Sequence, residues 1–528
     1  MDFLCNDNGD YKLIKTIKYN KKDSLTKINK FFKIYKKNKL LVSIDSMSIK
    51  NKKHNVYFRR IKKYDFKFLS IQNDSLNFNK SKILGNKCEN LNNYSNQIIE
   101  YYSDKGYPFT KITYDSIVVD STNIKGSISI SNDKKYKFDD IIIKGNFNTR
   151  KNFLYNTIMI KPGDVYNETK FLNIRKYLEK SSAFEMIKSP EILFTENEAF
   201  IFIYLNQKKS NYFYGLAGFQ RKNEIENKYT ITGEVKLNLF NSLKQAESIN
   251  ISWNSNINNT KSLIFETNYP FIFNSLFSLN YKFELFKKDT TYINDKSSFS
   301  VEYKLNSKNF LFLNFEKFNS NIILNKEFYS NNSNTGYSDV NYFYYGIGYM
   351  YNSLNSNINA SKGLNINTEF FSGNKNNNIE QNKKIQFKYS LNINYFIPLN
   401  LRNIINTSFK LAAIENEKVF ENELFRLGGI NSLKGFDDES ILASKYIIAL
   451  LKYNFKIDRN TTIYSFFNNA FYYNQFKNID DNPYGFGIGL ELITKPGKIS
   501  LVYALGKQFN NPIYIKNAKI HVGFTAEF

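Results

Sequence analysis

From Tyr212 to Phe528 apolar and polar residues alternate with a period of two, and this constrains the fold more than anything else in the chain. In Lys384–Phe396, KIQFKYSLNINYF, the residues Ile385, Phe387, Tyr389, Leu391, Ile393 and Tyr395 point one way. Gln386, Lys388, Ser390, Asn392 and Asn394 point the other. A helix would scatter those apolar residues around its circumference, whereas a strand gathers them on one face. The same register recurs in Glu247–Asn254, where Ile249, Ile251 and Trp253 alternate with Ser248, Asn250 and Ser252, and again in Phe277–Leu285. The stretch spans 317 residues, which at about 20 residues per strand and connection is about 16 strands. So many half-wet strands exceed one sandwich of ordinary size. Lipid outside and water or a plug inside accounts for them, so the expected fold is an all-β transmembrane barrel of about 16 antiparallel strands over residues 208–528. No run of about 18 apolar residues occurs, which excludes a helical span and leaves a barrel span open. The Asn-rich stretches YSNNSNTGYSD and SGNKNNNIEQNKK read as surface loops.

Before Gln207 helical and strand patterns mix, which predicts α+β modules, each built as strand, helix, strand, strand. The third, 136–207, opens with the strand KFDDIIIK and the turn at Gly145-Asn146. A second turn at Pro162-Gly163 precedes a helix carrying Phe171, Ile174, Tyr177 and Leu178, and the strands Glu191–Phe194 and Ala199–Asn206 close the unit. The second, 64–135, has a helix over Leu91–Ser103 and strands at Thr110–Val119 and Gly126–Ile130. The first, 11–63, has a helix near Leu25–Tyr35 and strands flanking His54, after a lead of residues 1–10.

Composition narrows the function. The only histidines are His54 and His521, so chemistry that needs a histidine base or a histidine metal cluster has almost nothing to use. Cys5 and Cys88 form no metal or disulfide pattern. No enzyme, metal or cofactor is expected. The formal charge of +25 invites a nucleic-acid reading, but the excess sits at the front, where the first 88 residues hold 22 Lys and Arg against 7 Asp. No recognition motif accompanies it, so a solvated basic face, or a module near anionic headgroups or clients, is expected and no nucleic acid. The opening MDFLCNDNGDYKLIKTIKY lacks the basic-then-apolar plan of a secretory signal, so an export signal would be degenerate or outside this sequence.

Between two strand patterns lies FRLGGINSLKGFDDESI, Phe425–Ile441, where three glycines, a lysine and three acids gather. This stretch resembles the signature of the BamA/TamA family of outer-membrane barrel proteins, whose inward-folded extracellular loop carries an Arg-Gly-Phe/Tyr tip. The matching positions are Gly428, Gly429, Leu433, Lys434, Gly435 and Phe436. IIIKGNFNTR and IKPGDVYNETKFLNIRKYLEKSSAFEMI are similar to the family's periplasmic POTRA domains, and YGFGIGLELITKPGKISLVYALG to its penultimate barrel hairpin. On that hairpin Gly485, Gly487 and Gly489 leave room on alternate positions for the loop to pack. No helix follows them, so they are not a dinucleotide loop. The terminal HVGFTAEF, with His521, Gly523, Ala526 and Phe528, resembles the signal by which barrel proteins are recognised for insertion.

The resemblance implies a barrel lock in which the tip arginine meets acids on neighbouring wall strands. Here the tip is Lys434, and the aligned wall positions are Lys452 in LLKYNF and Asn468 in FFNNAF, which predicts a weaker lock built on hydrogen bonds. It also implies a place in the bacterial outer membrane with the modules in the periplasm. Its partners would be the lipid bilayer, unfolded outer-membrane proteins, and accessory lipoproteins or periplasmic chaperones. Clients would add to the barrel seam and to POTRA sheet edges by strand addition. A TamA-like or two-partner translocation pore and a passive surface-antigen barrel remain open as alternatives.

Overall fold

The structure, a computed structural model, describes residues 2–7, 10–16, 41–50, 53–61, 65–76, 91–119, 123–179, 184–207, 211–221, 229–255, 260–323, 336–356, 359–377, 384–494 and 497–526. Two compact units divide it, the first mainly residues 1–137 and the second mainly the remainder.

In the first unit Asp2–Asp7, within the expected lead of residues 1–10, forms a strand. Asp2–Asp7 pairs antiparallel with Asp10–Thr16 and parallel with Lys53–Ile61, which also pairs with Leu41–Lys50. The segment DFLCND is paired on both sides, and its short apolar run Phe3-Leu4-Cys5 is enough for a strand held mainly by its backbone hydrogen bonds. The helix expected near Leu25–Tyr35 lies outside the described residues. The second module follows the predicted order, with strand Asp65–Gln72, helix Leu91–Ser103 and strands Lys111–Val119 and Asn123–Ser131. Ile98 and Tyr102 on the helix meet Ile71, Ile128 and Ile130 on the sheet.

The second unit begins within the third module, a sheet of Lys137–Lys144, Glu198–Gln207 and Phe184–Phe194. Ile174 and Leu178 are buried on the predicted helix, Glu168–Glu179. A further helix, Lys151–Ile158, went unread in the sequence. It is only eight residues long, and Phe153, Leu154 and Ile158 are its apolar signal among Asn and Thr.

The rest is one ladder of seventeen antiparallel strands running from Tyr212–Arg221 to Lys519–Ala526. One of them, Ile479–Asp481, is a three-residue extension beside Thr461–Asn474, which pairs directly with Tyr484–Thr494. Sixteen longer strands remain. Their faces are inverted relative to a soluble protein. Ile385, Ile347 and Ile488 are about 60 % exposed, whereas Gln386, Ser320 and Lys375 are at most 2 % exposed. Outward apolar and inward polar residues are stable only where the outside is hydrocarbon. The interior is bridged by charge: Lys296 reaches both Glu284 and Glu316, and Lys388 reaches Glu316 from three strands away.

The described ends of the two Asn-rich stretches differ from the surface loops expected of them. The strand Gly363–Asn377 continues through SGNKNN and turns Lys375 inward, because a buried carboxylate waits there. Ser338 is fully buried, held by Asn422.

Candidate functional site

The strand Asn403–Glu415 passes into a long inward loop that returns as Lys445–Lys456. Phe425–Leu427 and Ile441–Ala443 pair across its neck. Leu427, Leu433 and Phe436 pack on Ile448, Ala470 and Tyr472 of the wall, so burial of apolar surface seats the loop. Gly428 and Gly435 have φ of +118° and +97°, a region that costs a side chain, and the Gly429 N–H donates to the Phe436 carbonyl at 3.1 Å to close the turn.

The tip rests on the last strands. Asn468 Nδ2 donates to the Lys434 carbonyl at 3.3 Å, and a Cβ on Gly485 would collide with that same oxygen. Gly435 approaches the Leu505 carbonyl and Gly506, a glycine the sequence did not flag. The Gly435 N–H faces His521 Nε2 at 3.4 Å, Asp437 pairs with Lys519 at 2.8 Å, and Ile430 packs where Gly523 lacks a side chain. Asn468, Gly485, His521 and Gly523 thus converge on the loop.

Other expected positions do not. Gly487 makes room for the Tyr503 carbonyl and Gly489 for the Tyr464 ring, so both serve wall packing. Ala526 is the last rung of the ladder, opposite Gly497, and Phe528 lies outside the described residues. Lys452 does not hold the tip. Its Nζ donates to Glu491 at 2.6 Å and stands 3.7 Å over the Tyr464 ring. Lys434 has no carboxylate within ion-pair distance among the described residues, and its Nζ lies 5.7 Å from the Phe466 ring centroid. Glu491 escaped the sequence reading although it continues the face of Gly485, Gly487 and Gly489.

A further hold lies at the loop's root, where no motif pointed. Lys375 and Glu423 pair at 2.6 Å with side chains 2 % and 1 % exposed. Lys375 also donates to the Lys418 carbonyl at 2.8 Å, and the Phe420 N–H donates to Glu423 Oε2 at 2.8 Å. Asn422 donates to Ser320 Oγ at 2.6 Å and to the Ser338 carbonyl at 2.8 Å, and accepts from Asn294 at 2.9 Å. The arginine expected at the tip is replaced by lysine, and a buried ion pair stands at the other end of the loop.

The third module is tied to the barrel turns within the same unit. Arg150 donates to the Pro270 carbonyl, Asn156 to that of Ser275 at 3.0 Å, and Asn241 to that of Asn148 at 2.9 Å. Lys304, 7 % exposed, donates to the Asn156 and Thr157 carbonyls at 2.8 and 3.2 Å, a cation at a helix C-terminus. In the module itself Asp140 meets Lys151 and Tyr155. Burial raises the Asp140 pKa, but the bonds from Lys151, Tyr155 and the Ile141 N–H together with the Lys151 charge outweigh it and hold the carboxyl below its ordinary range. Burial and then the Asp140 bond push Tyr155 up to about 12.

The profile of the Omp85 superfamily domain matches residues 240–528, and that of the POTRA family, surface antigen variable number repeat, matches residues 136–208. The fold is similar to that of BamA from Haemophilus ducreyi lacking POTRA domains 1–3, at 15 % identity over 88 % of this chain and 99 % of that one, with a TM-score of 0.50. CdiB from Acinetobacter baumannii gives 11 % identity, 96 % and 99 % coverage and a TM-score of 0.52. CdiB from Escherichia coli gives 12 %, 87 % and 89 %, and 0.55. No curated protein matches the sequence. With an Omp85 domain over more than half its length, behind a POTRA repeat, the chain belongs to the Omp85 superfamily of outer-membrane β-barrel proteins.

Proposed function

We propose that the chain is an assembly factor of a bacterial outer membrane. In this reading it receives unfolded barrel clients on periplasmic modules over residues 11–63, 64–135 and 136–207 and inserts them at the barrel seam. The observation that carries the reading is the position of the inward loop. Its tip rests on Lys519–Ala526, the strand that ends the ladder, through His521, Lys519 and Gly523. A strand entering lipid with bare N–H and C=O groups costs several kcal/mol per group. A terminal strand that opens supplies partners for those groups by strand addition. The loop tip then decides how firmly that strand is held, and Lys434, Gly435 and Phe436 are its working residues. The step uses no cofactor, and accessory lipoproteins or chaperones would act beside it.

Reconstitution tests this. The purified chain in liposomes is expected to speed folding of an unrelated outer-membrane barrel over empty liposomes, and Lys434→Ala to lose part of that gain. No acceleration by the native chain, together with loss of one secreted product when the gene is removed, would replace the reading with a translocation pore.

A further inference from the structure

Lys434 ends in a cavity of 680 Å³ inside the barrel, roofed by the loop and lined also by Lys452, Lys498, Glu491, Tyr464 and Ser500. Lys452 donates to Glu491 Oε1 at 2.6 Å, Lys498 Nζ lies 3.7 Å from Oε2, and Lys434 lines the same cavity. Lys410, whose Nζ is spent on the Asn431 carbonyl at 2.8 Å, adds a fourth positive charge within electrostatic reach of Lys434. Lys434, Lys452 and Lys498 therefore stand on one wall of the cavity with a single carboxylate, Glu491, between them. Glu234 on the same cavity is taken by Lys236 at 2.5 Å, and Asp438 and Glu439 make no ion pair with the four lysines.

Like charges held together in a partly dehydrated space repel, and a bound anion removes that repulsion. The groups presented are ammonium donors and the hydroxyls of Tyr464 and Ser500, so the fitting ligand is rich in acceptors and carries more than one negative charge. The lining is mostly Lys, Asn, Ser, Thr and acids, which favours a ligand from water over one dragging acyl chains. We propose that this cavity binds a small divalent oxyanion of the phosphate class, taken from the aqueous phase, through Lys434, Lys452 and Lys498. The site is independent of whether the barrel inserts or translocates clients.

Calorimetric titration of inorganic phosphate into the full chain in detergent micelles tests it, with ionic strength held constant by sodium chloride. One saturable site is expected, with Kd below about 1 mM. Lys434→Gln and Lys498→Gln should each weaken it about tenfold, and Glu491→Gln, which removes the competing carboxylate, should tighten it about tenfold. Lys516→Gln on an exposed turn should change nothing, and retained heat-modifiable migration on gels shows that each variant is folded. No saturable binding overturns the proposal. So does a Glu491→Gln chain that binds no better, since the lysines would then exist only to hold Glu491. Displacement of phosphate by short-chain phosphatidic acid at lower concentration would also overturn it, placing the ligand in the membrane.

Discussion

Breaking the Lys375–Glu423 pair should unseat the inward loop. At 2.6 Å and an effective dielectric of about 20 the two charges attract by roughly 6 kcal/mol, against a desolvation cost of several kcal/mol per ion. Glu423 Oε1 is itself buried without a hydrogen-bond partner, which leaves part of that cost unrelieved. The pair's net contribution is therefore small, but removing one member strands the other. Lys375→Met leaves the Glu423 carboxylate with only the Phe420 N–H, and Glu423→Leu leaves an ammonium with only the Lys418 carbonyl and the Phe420 ring. Each single variant should lose about 3–5 kcal/mol, and the double variant no more than about 2. The readouts are urea-dependent loss of heat-modifiable gel migration and protease sensitivity within residues 416–427, measured as a double-mutant cycle. If both single variants stay within about 1 kcal/mol of the native chain, or if the double loses the sum of the two, the pair does not seat the loop.

Gly485→Ala should push the tip off the wall, because its Cβ meets the Lys434 carbonyl; a loss of about 1–3 kcal/mol is expected in the same unfolding assay, and Gly487→Ala should leave loop protease sensitivity unchanged. Lys304→Met should free the last turn of Lys151–Ile158, seen as faster hydrogen exchange at Ile158 and Ile160 with the barrel ladder unaffected. The lowered Asp140 pKa means that its pairing stabilises the module fully above the ordinary carboxylate value of 3.8 and is lost as pH falls through the lower folded value. Exchange at Ile141 should therefore quicken in that acid window, and Asp140→Asn should remove the dependence.

The barrel was legible because its requirement is global. Every strand must show hydrocarbon one side, so alternation survives in KIQFKYSLNINYF despite the Asn and Lys bias of the chain. The loop was legible because Gly428 and Gly435 need backbone that few other residues tolerate. What held the loop was not legible. Lys375 and Glu423 are 48 residues apart in stretches whose composition signals exposure, and only the inward fold of the loop across two neighbouring strands brings them together. Glu491 was readable in principle from its place on the glycine face. The strand Asp2–Asp7 was missed because six residues with three consecutive apolar ones, Phe3, Leu4 and Cys5, carry little strand pattern, and its second partner Lys53–Ile61 lies across most of the module.

The tie between the third module and the barrel turns divides its demands unevenly. Arg150, Asn156, Lys304 and Asn241 each reach a main-chain carbonyl, at Pro270, Ser275, Asn156 and Thr157, and Asn148. A carbonyl is supplied by every residue, so the accepting positions are free to drift through mutation while the joint persists. The donors are not free in this way, and position 304 least of all, since one ammonium there serves two acceptors. Inheritance of the joint thus rests on few codons, those of the donors and of the turn residues Phe271 and Asn274, whose side chains meet Phe153 and Asn152, and the remaining acceptor positions can change without releasing the domain.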